Sequence, residues 1–384
     1  MARKDPPFEL AMKAFTEDGE VEAPVDLKNF TKGELQALVQ DGLGEKAFRA
    51  SQLYEWLYKH RAVELSEMTN LSKHLRAKLE GVARVCALKQ EGAYEAADGT
   101  TKLTFRCDDG AVIESVFIPF ESHNSLCISS QVGCAMGCTF CFTAKMGLSR
   151  HLSTAEIVDQ VVQARNWAET KGETISNIVF MGMGEPLHNL ENVLKACDIL
   201  IEESGLNFSR RKVTVSTSGL VPAIERLMDE SKVQLAVSLN ATTDVQRSKI
   251  MPVNDRYDLE TLMGSLRGLD LEKRQRITFE YVLLKDFNDS LEDAARIVEL
   301  VKGIPSKINI IPFNPHPETP FDIPAEKTIS RFQEYLVAHN VSCFRRKTRG
   351  RDSMAACGQL GEPVPGKEPR HLRRRLESLH KELG

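Results

Sequence analysis

Six apolar, strand-like runs alternate with helical stretches from Ser125 onward. The runs read SLCISS, NIVFMGM, KVTVSTSG, QLAVSLNA, RITFEYVLL and KINIIPFN. Between the first two, the segment Thr154 to Ala168 has a helical pattern, and Ser153 with Glu156 forms a capping-box sequence at its start. Nearly continuous apolar strands separated by helices are typical of a parallel sheet covered on its faces. The alternation therefore predicts an α/β fold of six βα units.

Polar motifs recur at the points where these strands end. They are QVGC, GMGEP, STSG, SLNA and PFNP. Reactive groups at the carboxyl ends of parallel strands are typical of α/β barrels. We therefore predict a partial (βα)6 barrel of the TIM type, with a doubly wound open sheet as the alternative.

The rest of the chain divides into flanking segments. Residues 1–24 form a polar, acidic tail, and residues 25–85 have the apolar periodicity of a small helical domain. Residues 86–120 contain TKLTFRC and AVIESVFIP, flanked by two Asp-Gly turn signals, which predicts a β-hairpin or a short meander. The barrel then covers residues 121–350, and residues 351–384 carry a loop with one cysteine and a basic C-terminal helix.

Composition limits the setting in which the chain works. The formal net charge is −4, and no apolar run is long enough to cross a membrane. The start, MARKDPPFEL, lacks the apolar core of a signal peptide. We therefore expect a cytoplasmic protein without a membrane partner. Its nine cysteines are then reduced thiols, metal ligands or catalytic groups rather than structural disulfides.

Basic residues are concentrated in three clusters although the net charge is negative. The clusters are SRRK at residues 209–212, RRKTR at residues 345–349, and Arg370 with Arg373 to Arg375. A local basic surface binds phosphates even on an acidic protein. The alternative is a solvated helix face, especially for the C-terminal cluster.

The run CAMGCTFC places Cys134, Cys138 and Cys141 in the spacing C-x₃-C-x₂-C. Three thiolates are one short of the four ligands that a structural metal site normally needs. Three ligands suffice to hold a [4Fe–4S] cluster and leave one iron open for a small molecule. The alternatives are a zinc knuckle completed by a distant ligand, or three ordinary buried cysteines.

The sequence around these three cysteines resembles a known family. CAMGCTFC after a strand, with GMGEP at the next strand end, resembles the radical S-adenosylmethionine (SAM) enzymes. SSQVGCAMGCTFC, MGMGEPLHN, STSG, SLNA, RKTRG and AACGQL resemble the RlmN family of dual-specificity RNA (adenine-C2) methyltransferases, over about Phe48 to Gln359. The related enzymes that methylate adenine C8 are the nearest alternative within the superfamily. STSG and RKTRG look more like the C2 group.

The resemblance implies roles for five cysteines. Cys134, Cys138 and Cys141 hold a [4Fe–4S] cluster, and two SAM molecules are used per turnover. Cys357, in AACGQL, takes a methyl group from the first SAM, because a thiolate is a good nucleophile toward a sulfonium methyl. Cys127 resolves the later enzyme–RNA adduct through a transient disulfide with Cys357. Taken alone, either cysteine is better explained as a small buried core residue.

Glu114 is the candidate general base of the segment 86–120. The strand face that carries it reads Val112, Glu114, Val116 and Ile118, so one carboxyl group stands among apolar side chains. Such surroundings make a carboxylate a candidate base near neutral pH. The position coincides with the family residue that removes the C2 proton. The alternative is an edge-strand acid that points to water.

The remaining functional residues also follow from the resemblance. Gly184 and Glu185 match the motif that binds the SAM amino group, where glycine permits a close backbone approach and the carboxylate pairs with the ammonium. The further cofactor positions are Ser216, Ser238, Leu239, Asn240 and Asn314. Asn240 stands where many relatives have histidine. An asparagine amide can donate and accept hydrogen bonds but cannot supply an imidazole contact.

The implied partners are RNA and a reductant. The resemblance implies an adenosine in the peptidyl-transferase centre of 23S rRNA and the adenosine next to the anticodon of tRNA, each unstacked on entering the barrel. The helical domain 25–85 is then an RNA-binding unit, the electron donor is a flavodoxin or ferredoxin, and the protein is a monomer. Two other classes stay open: an enzyme that generates a glycyl radical on a partner protein, and a non-catalytic iron–sulfur or zinc RNA-binding protein.

Overall fold

The computed structural model describes residues 24–316 and 319–361. Its centre is a ten-stranded sheet, accompanied by two small two-stranded sheets. In chain order the strands are β1 (Val25–Asp26), β2 (Ala83–Arg84), β3 (Leu88–Glu95), β4 (Thr101–Cys107), β5 (Val112–Pro119), β6 (Asn124–Cys127), β7 (Gln131–Gly133), β8 (Leu148–His151), β9 (Asn177–Phe180), β10 (Val213–Thr217), β11 (Gln234–Ser238), β12 (Ile277–Leu283), β13 (Ser306–Pro312) and β14 (Cys343–Arg345).

Helices cover one face of the large sheet. They are α1 (Lys32–Ala37), α2 (Ala47–Tyr58), α3 (Lys73–Glu80), α4 (Phe142–Lys145), α5 (Thr154–Thr170), α6 (Leu190–Ile201), α7 (Val221–Glu230), α8 (Asp244–Ile250), α9 (Leu259–Gly268), α10 (Leu291–Leu300) and α11 (Glu326–Ala338). The capping box predicted at Ser153 and Glu156 is present at the start of α5. Within the described ranges, no helix combines the length and the apolar character needed to cross a bilayer.

Six parallel neighbours form the barrel wall, which confirms the predicted fold class. They are β6, β9, β10, β11, β12 and β13 in that spatial order, and the short β14 adds a seventh parallel strand beside β13. The wall does not close on itself, because β6 pairs with β5 on its other side. The wall is therefore a partial barrel rather than a doubly wound sheet.

The two faces of the wall differ in chemistry. Phe279 and Ile308, on the face toward the helices, are fully buried. Ser238 and Glu280, which pair in register on β11 and β12, lie on the opposite, inner face. Because parallel strands place their carboxyl ends at one edge, the inner polar side chains gather at the mouth of the barrel.

The β extension is a short meander, the second of the two predicted alternatives. β4 and β5 pair antiparallel as expected, but β3 adds a third strand on the outer edge of β4. β3 has the sequence LKQEGAYE, in which exposed and half-buried side chains alternate after the buried Leu88. Because only one face of β3 is covered, its sequence lacks the apolar run that marked the other strands.

The helical unit at residues 25–85 packs on the first barrel helix through a buried ion pair. Lys28 Nζ lies 2.5 Å from Asp159 Oδ1 of α5, and both side chains are fully buried. The second oxygen of Asp159 accepts hydrogen bonds from Ala87 N and Leu88 N, each at 3.0 Å. One carboxylate therefore fixes both the helical unit and the start of the β extension to the barrel.

Candidate active site

The three clustered cysteines lie on the loop between β7 and α4. Gly133 opens this loop with φ +77°, and a Cβ there would lie 1.8 Å from Gly147 O, so no other residue fits. Cys134 N donates to Gly147 O at 3.0 Å, and Cys141 N donates to Cys138 O at 3.2 Å. Backbone hydrogen bonds therefore fix the conformation of the short loop that carries the three thiols.

The electrostatics of this loop favour a cationic occupant. Burial raises the pKa of the Cys134 thiol to about 12 and also raises the pKa of Cys138 and Cys141. A cation is needed to hold three buried thiolates together. Within residues 24–316 and 319–361, no three His, Cys, Asp or Glu side chains converge on a single ion position. Three clustered thiols fit the ligand set of a [4Fe–4S] cluster, in which each cysteine binds a different iron.

Glu185 and Gly184 follow β9 at the mouth of the barrel. Glu185 is buried, and its two carboxylate oxygens accept hydrogen bonds from Leu187 N at 3.0 Å and Ser218 N at 2.7 Å. Burial raises the pKa of Glu185, and the hydrogen bond from Ser218 N opposes the rise. Gly184 has φ +101°, and a Cβ there would lie 2.5 Å from Gln131 Cβ. Packing against Gln131 thus requires glycine at position 184. This requirement is separate from the predicted close approach of a cofactor.

Several polar atoms at the strand ends have no partner of their own. Ser218 Oγ and Asn314 Oδ1 are buried and make no hydrogen bond to any described residue. Buried polar atoms normally have a partner, so a polar molecule bound at the mouth fits this arrangement. Ser216 is half-buried at the end of β10, close to Ser218, and Leu239 is fully buried after β11.

Asn240 is engaged within the protein. Its Oδ1 accepts a hydrogen bond from Val282 N at 2.8 Å, and its Nδ2 lies 3.3 Å from Met251 Sδ. Its φ of 55° is in the left-handed region, which asparagine tolerates better than most residues. The side chain ties the end of β11 to β12, so a cofactor contact through this amide competes with two existing interactions.

Arg247 is a site residue that the sequence analysis missed. It lies on α8, is fully buried, and its guanidinium donates to Ser218 O at 2.6 Å, Ser238 O at 3.1 Å and Leu239 O at 3.2 Å. Burial lowers its pKa to about 10. One guanidinium thus fixes the loops that follow β10 and β11. The sequence around it, TDVQRSKI, reads as an ordinary polar helix and contains no signal of this role.

Cys127 and Cys357 lie near each other although 230 residues separate them. Burial raises the pKa of Cys127, at the end of β6, to about 12, and the neighbouring Cys357 contributes to the rise. Cys357 is half-buried and also adds to the raised pKa of Cys141. Cys357 therefore lies near both Cys127 and Cys141.

Hydrogen bonds to several elements hold the Cys357 loop across the mouth. Asn314 Nδ2 donates to Cys357 O at 3.1 Å, and Phe142 N donates to Gly358 O at 2.7 Å. Thr143 Oγ1 donates to Leu360 O at 2.7 Å. The loop is therefore attached both to β13 and to the segment that carries the clustered cysteines.

Glu114 is buried at the inner face of β5, but its surroundings differ from the predicted apolar ones. Lys102 Nζ, on the neighbouring β4, lies 3.1 Å from Glu114 Oε1, and both side chains are almost completely buried. The other oxygen, Oε2, accepts a hydrogen bond from Gly361 N at 2.8 Å. The interpretation as an acid among apolar side chains is therefore wrong, because a buried carboxylate requires a cation or donors.

Arg346 follows β14 directly, and its side chain reaches Met181 and Glu280 inside the barrel. Its Nη1 lies 3.6 Å from Met181 Sδ and 3.7 Å from Glu280 Oε2. The pKa of Arg346 is raised chiefly by the neighbouring Cys357, with Glu280 and Cys127 adding to the effect. A guanidinium is thus available to both thiols at the centre of the mouth.

The basic clusters lie at different ends of the barrel. Residues 345–349 begin at the last residue of β14 and continue at the mouth. Residues 209–212 immediately precede β10, at the amino end of the barrel strands and away from Cys127. Arg370 and Arg373 to Arg375 lie outside the described residues.

Comparison with known proteins places this site in a family. Residues 25–85 match the family described as the ribosomal RNA large subunit methyltransferase N-terminal domain, and residues 128–300 match the radical SAM superfamily. The chain is 51% identical over 336 residues to the dual-specificity RNA methyltransferase RlmN of Geotalea uraniireducens, covering 88% of this chain and 96% of that protein. The chain belongs to the RlmN family. The RlmN of Anaeromyxobacter dehalogenans is 49% identical, covering 90% of this chain and 94% of that one.

A solved structure of a relative agrees with this assignment. A radical SAM methyltransferase from Sphaerobacter thermophilus superimposes with a TM-score of 0.84 at 43% identity, covering 88% of this chain and 99% of that one. Membership of the radical SAM superfamily implies a [4Fe–4S] cluster and SAM. The thiol-lined loop and the unpartnered Ser218 Oγ and Asn314 Oδ1 fit these two groups.

Proposed function

We propose that this RlmN-family protein is a radical SAM RNA methyltransferase that methylates C2 of adenosine. The substrates are the adenosine in the peptidyl-transferase centre of 23S rRNA and the adenosine next to the anticodon of tRNA. The dual-specificity RNA methyltransferases among its relatives support this proposal. The observation that carries it is the hydrogen bond from Phe142 N to Gly358 O at 2.7 Å, which holds Cys357 beside the loop of Cys141. The methyl group of a thioether is a poor electrophile, so its transfer to a ring carbon needs radical chemistry close by.

Each residue at the mouth has one task in this proposal. When bound, the cluster on Cys134, Cys138 and Cys141 and two SAM molecules per turnover supply the methyl group and a 5′-deoxyadenosyl radical. Cys357 Sγ carries the methyl carbon that joins C2. Before it joins C2, this carbon would lose one hydrogen atom to the 5′-deoxyadenosyl radical, and the adduct would give one electron back to the cluster. Glu114 takes the C2 proton, and the Cys127 thiolate then attacks Cys357 Sγ. The C–S bond breaks and the departing carbon takes up a proton, which releases the methylated base and leaves a disulfide.

The cofactor contacts are proposed at the strand ends. Glu185, Ser216, Ser238 and Asn314 offer side-chain groups to SAM, whereas Gly184, Leu239 and Asn240 offer backbone groups. Asn314 connects the Cys357 loop with the SAM position. Its Nδ2 donates to the Cys357 backbone, and its unpartnered Oδ1 is free to contact SAM. The helical unit 25–85 binds the RNA, a flavodoxin or ferredoxin supplies electrons, and the protein acts as a monomer.

Glu114 takes the C2 proton only after one contact changes. Both of its oxygens are engaged, one by Lys102 and one by Gly361 N. Lys102 stays as the counter-ion, because a buried carboxylate without its cation is strongly disfavoured. Gly361 lies at the end of the Cys357 loop, so a shift of that loop frees Oε2 and moves Cys357 at the same time.

The decisive test is the position of the new methyl group. We expect mass spectrometry of nucleosides from RNA treated with the reconstituted enzyme, SAM and a reductant to detect 2-methyladenosine, together with 5′-deoxyadenosine. Detection of 8-methyladenosine instead would assign the chain to the C8 chemistry. Bound zinc without formation of 5′-deoxyadenosine would leave only an RNA-binding role.

The release step is expected to accelerate with pH. Because the pKa of Cys127 is raised to about 12, its thiolate fraction at pH 7 is small and grows about tenfold with each pH unit below that value. The covalent enzyme–RNA species should therefore decay about tenfold faster at pH 8 than at pH 7 in a single-turnover experiment resolved on denaturing gels. Decay at one rate across this range would contradict attack by a Cys127 thiolate.

A further inference from the structure

Four side chains in register face the inside of the barrel at its mouth. Ser238 pairs with Glu280, Glu280 with Asn309, and Asn309 with Phe344 across β11 to β14. Residues in register on adjacent strands share a face, and the hydrogen bond from Asn309 Nδ2 to Glu280 Oε1 at 2.9 Å confirms it here. Phe344 is nonetheless 57% exposed. An aromatic ring exposed inside a barrel mouth offers a surface to a flat ligand.

Glu280 presents an acceptor that the described residues leave unused. Its side chain is buried, and Oε1 is occupied by Asn309. Oε2 accepts no hydrogen bond from any described residue. Arg346 Nη1 is 3.7 Å away, which is an ion-pair distance but too long for a hydrogen bond. A buried carboxylate oxygen in this state is complementary to a donor on a bound molecule.

Arg346 presents donors beside that acceptor. Its guanidinium has five N–H groups, and the side-chain contacts above, to Met181 Sδ and Glu280, are both longer than 3.5 Å. Its backbone N donates to Ile310 O at 2.8 Å, which fixes the root of the side chain on β13. The mouth therefore holds an acceptor and a donor side by side, next to an exposed ring.

The geometry points to a nucleobase-reading site made of Glu280, Arg346 and Phe344. Glu280 Oε2 accepts a hydrogen bond from the exocyclic N6 amine of adenine, Arg346 donates to N1, and the ring of Phe344 contacts the base face. Flipped bases are commonly read in this way, by hydrogen bonds to the Watson–Crick edge and by stacking. This inference rests on the proposed function and names the residues that select adenine.

The order of donor and acceptor determines which base fits. Adenine presents a donor at N6 and an acceptor at N1, which match a carboxylate and a guanidinium. Guanine and hypoxanthine present the reverse, an acceptor at O6 and a donor at N1, so both contacts become repulsive. N1 is bonded to C2, so a hydrogen bond from Arg346 to N1 holds C2 beside Arg346, near Met181 after β9.

Inosine provides the test, because it keeps a hydrogen at C2 and differs only in the groups being read. RNA carrying adenosine or inosine at the target position is compared by kcat/KM for methylation. We expect wild type to prefer adenosine by about 100-fold, since a mismatched polar edge leaves buried groups unpaired. In Glu280→Gln the amide can donate to O6, so the preference should fall below about tenfold.

Two controls separate a loss of base recognition from a general loss of folding or activity. Glu292→Gln changes an exposed acid on the outer helix α10 and should keep the wild-type preference. Glu292→Gln should also keep the wild-type rates of Cys357 methylation and of SAM cleavage without RNA. With the wild-type protein, RNA carrying purine riboside, which lacks the N6 amine, should lose about 10- to 100-fold in kcat/KM. This last measurement needs no variant.

The outcomes distinguish this inference from the proposed function. An unchanged preference in Glu280→Gln, or full activity of wild type on purine riboside, overturns the reading role while adenosine C2 methylation stands. Methylation of adenosine at another atom, or none at all, overturns the proposed function itself.

Discussion

Cys357→Ala is expected to abolish RNA methylation, by at least about 1,000-fold in single-turnover rate, because no other group can carry the methyl carbon. SAM cleavage to 5′-deoxyadenosine should persist at a low, uncoupled level, because Cys134, Cys138 and Cys141 are intact. The measurement is parallel quantification of methylated RNA and 5′-deoxyadenosine in one reaction. The expected signature is loss of the first product alone.

Cys86→Ala is the matched control for this experiment. Cys86 is a half-buried thiol between β2 and β3, remote from the barrel mouth. Its substitution should leave both products at wild-type levels after normalisation to iron content. Methylation by Cys357→Ala at more than a few per cent of the wild-type rate would show that the methyl group does not travel on this residue. An enzyme that generates a glycyl radical on a partner protein would not need Cys357 for its reaction.

The barrel was predictable because its signal is local. Each wall strand is a short apolar run bounded by polar motifs, and burial on both faces leaves little room for polar side chains. β3 and β14 escaped prediction for the opposite reason. β3 is covered on one face only, and β14 has three residues, of which only Cys343 is buried. Edge strands take their pairing from the rest of the sheet, which no local pattern encodes.

The polar contacts of the site were the least predictable part. The partner of Glu114, Lys102, is a dozen residues away in sequence and becomes a neighbour only through the register in which Thr104 faces Glu114. Arg346 was identified as part of a basic cluster, but its approach to Cys127 depends on the turn after β14. Such contacts join residues that only the strand order and register bring together. They therefore follow from topology rather than from composition.

Arg247→Met is expected to destabilise the protein and weaken SAM binding together. Removal of the guanidinium leaves the carbonyl oxygens of Ser218, Ser238 and Leu239 buried without their donor. Each unsatisfied buried group costs about 1–3 kcal/mol, so the free energy of unfolding should fall by roughly 3–5 kcal/mol after partial relaxation. The loops that carry Ser218 and Ser238 lose their common anchor, so the Kd for SAM should rise at least about tenfold.

Arg226→Met is the control that separates this role from the loss of any arginine. Arg226 lies on α7, exposed, and pairs with Glu230 and Glu191 at the surface. Surface ion pairs contribute little, so unfolding in urea should shift by less than about 1 kcal/mol and SAM affinity should not change. Equal effects of the two substitutions would refute the anchoring role. If Arg247→Met destabilises the protein but leaves the Kd for SAM unchanged, Arg247 has only a packing role. The segments of Ser218 and Ser238 would then not contribute to cofactor binding.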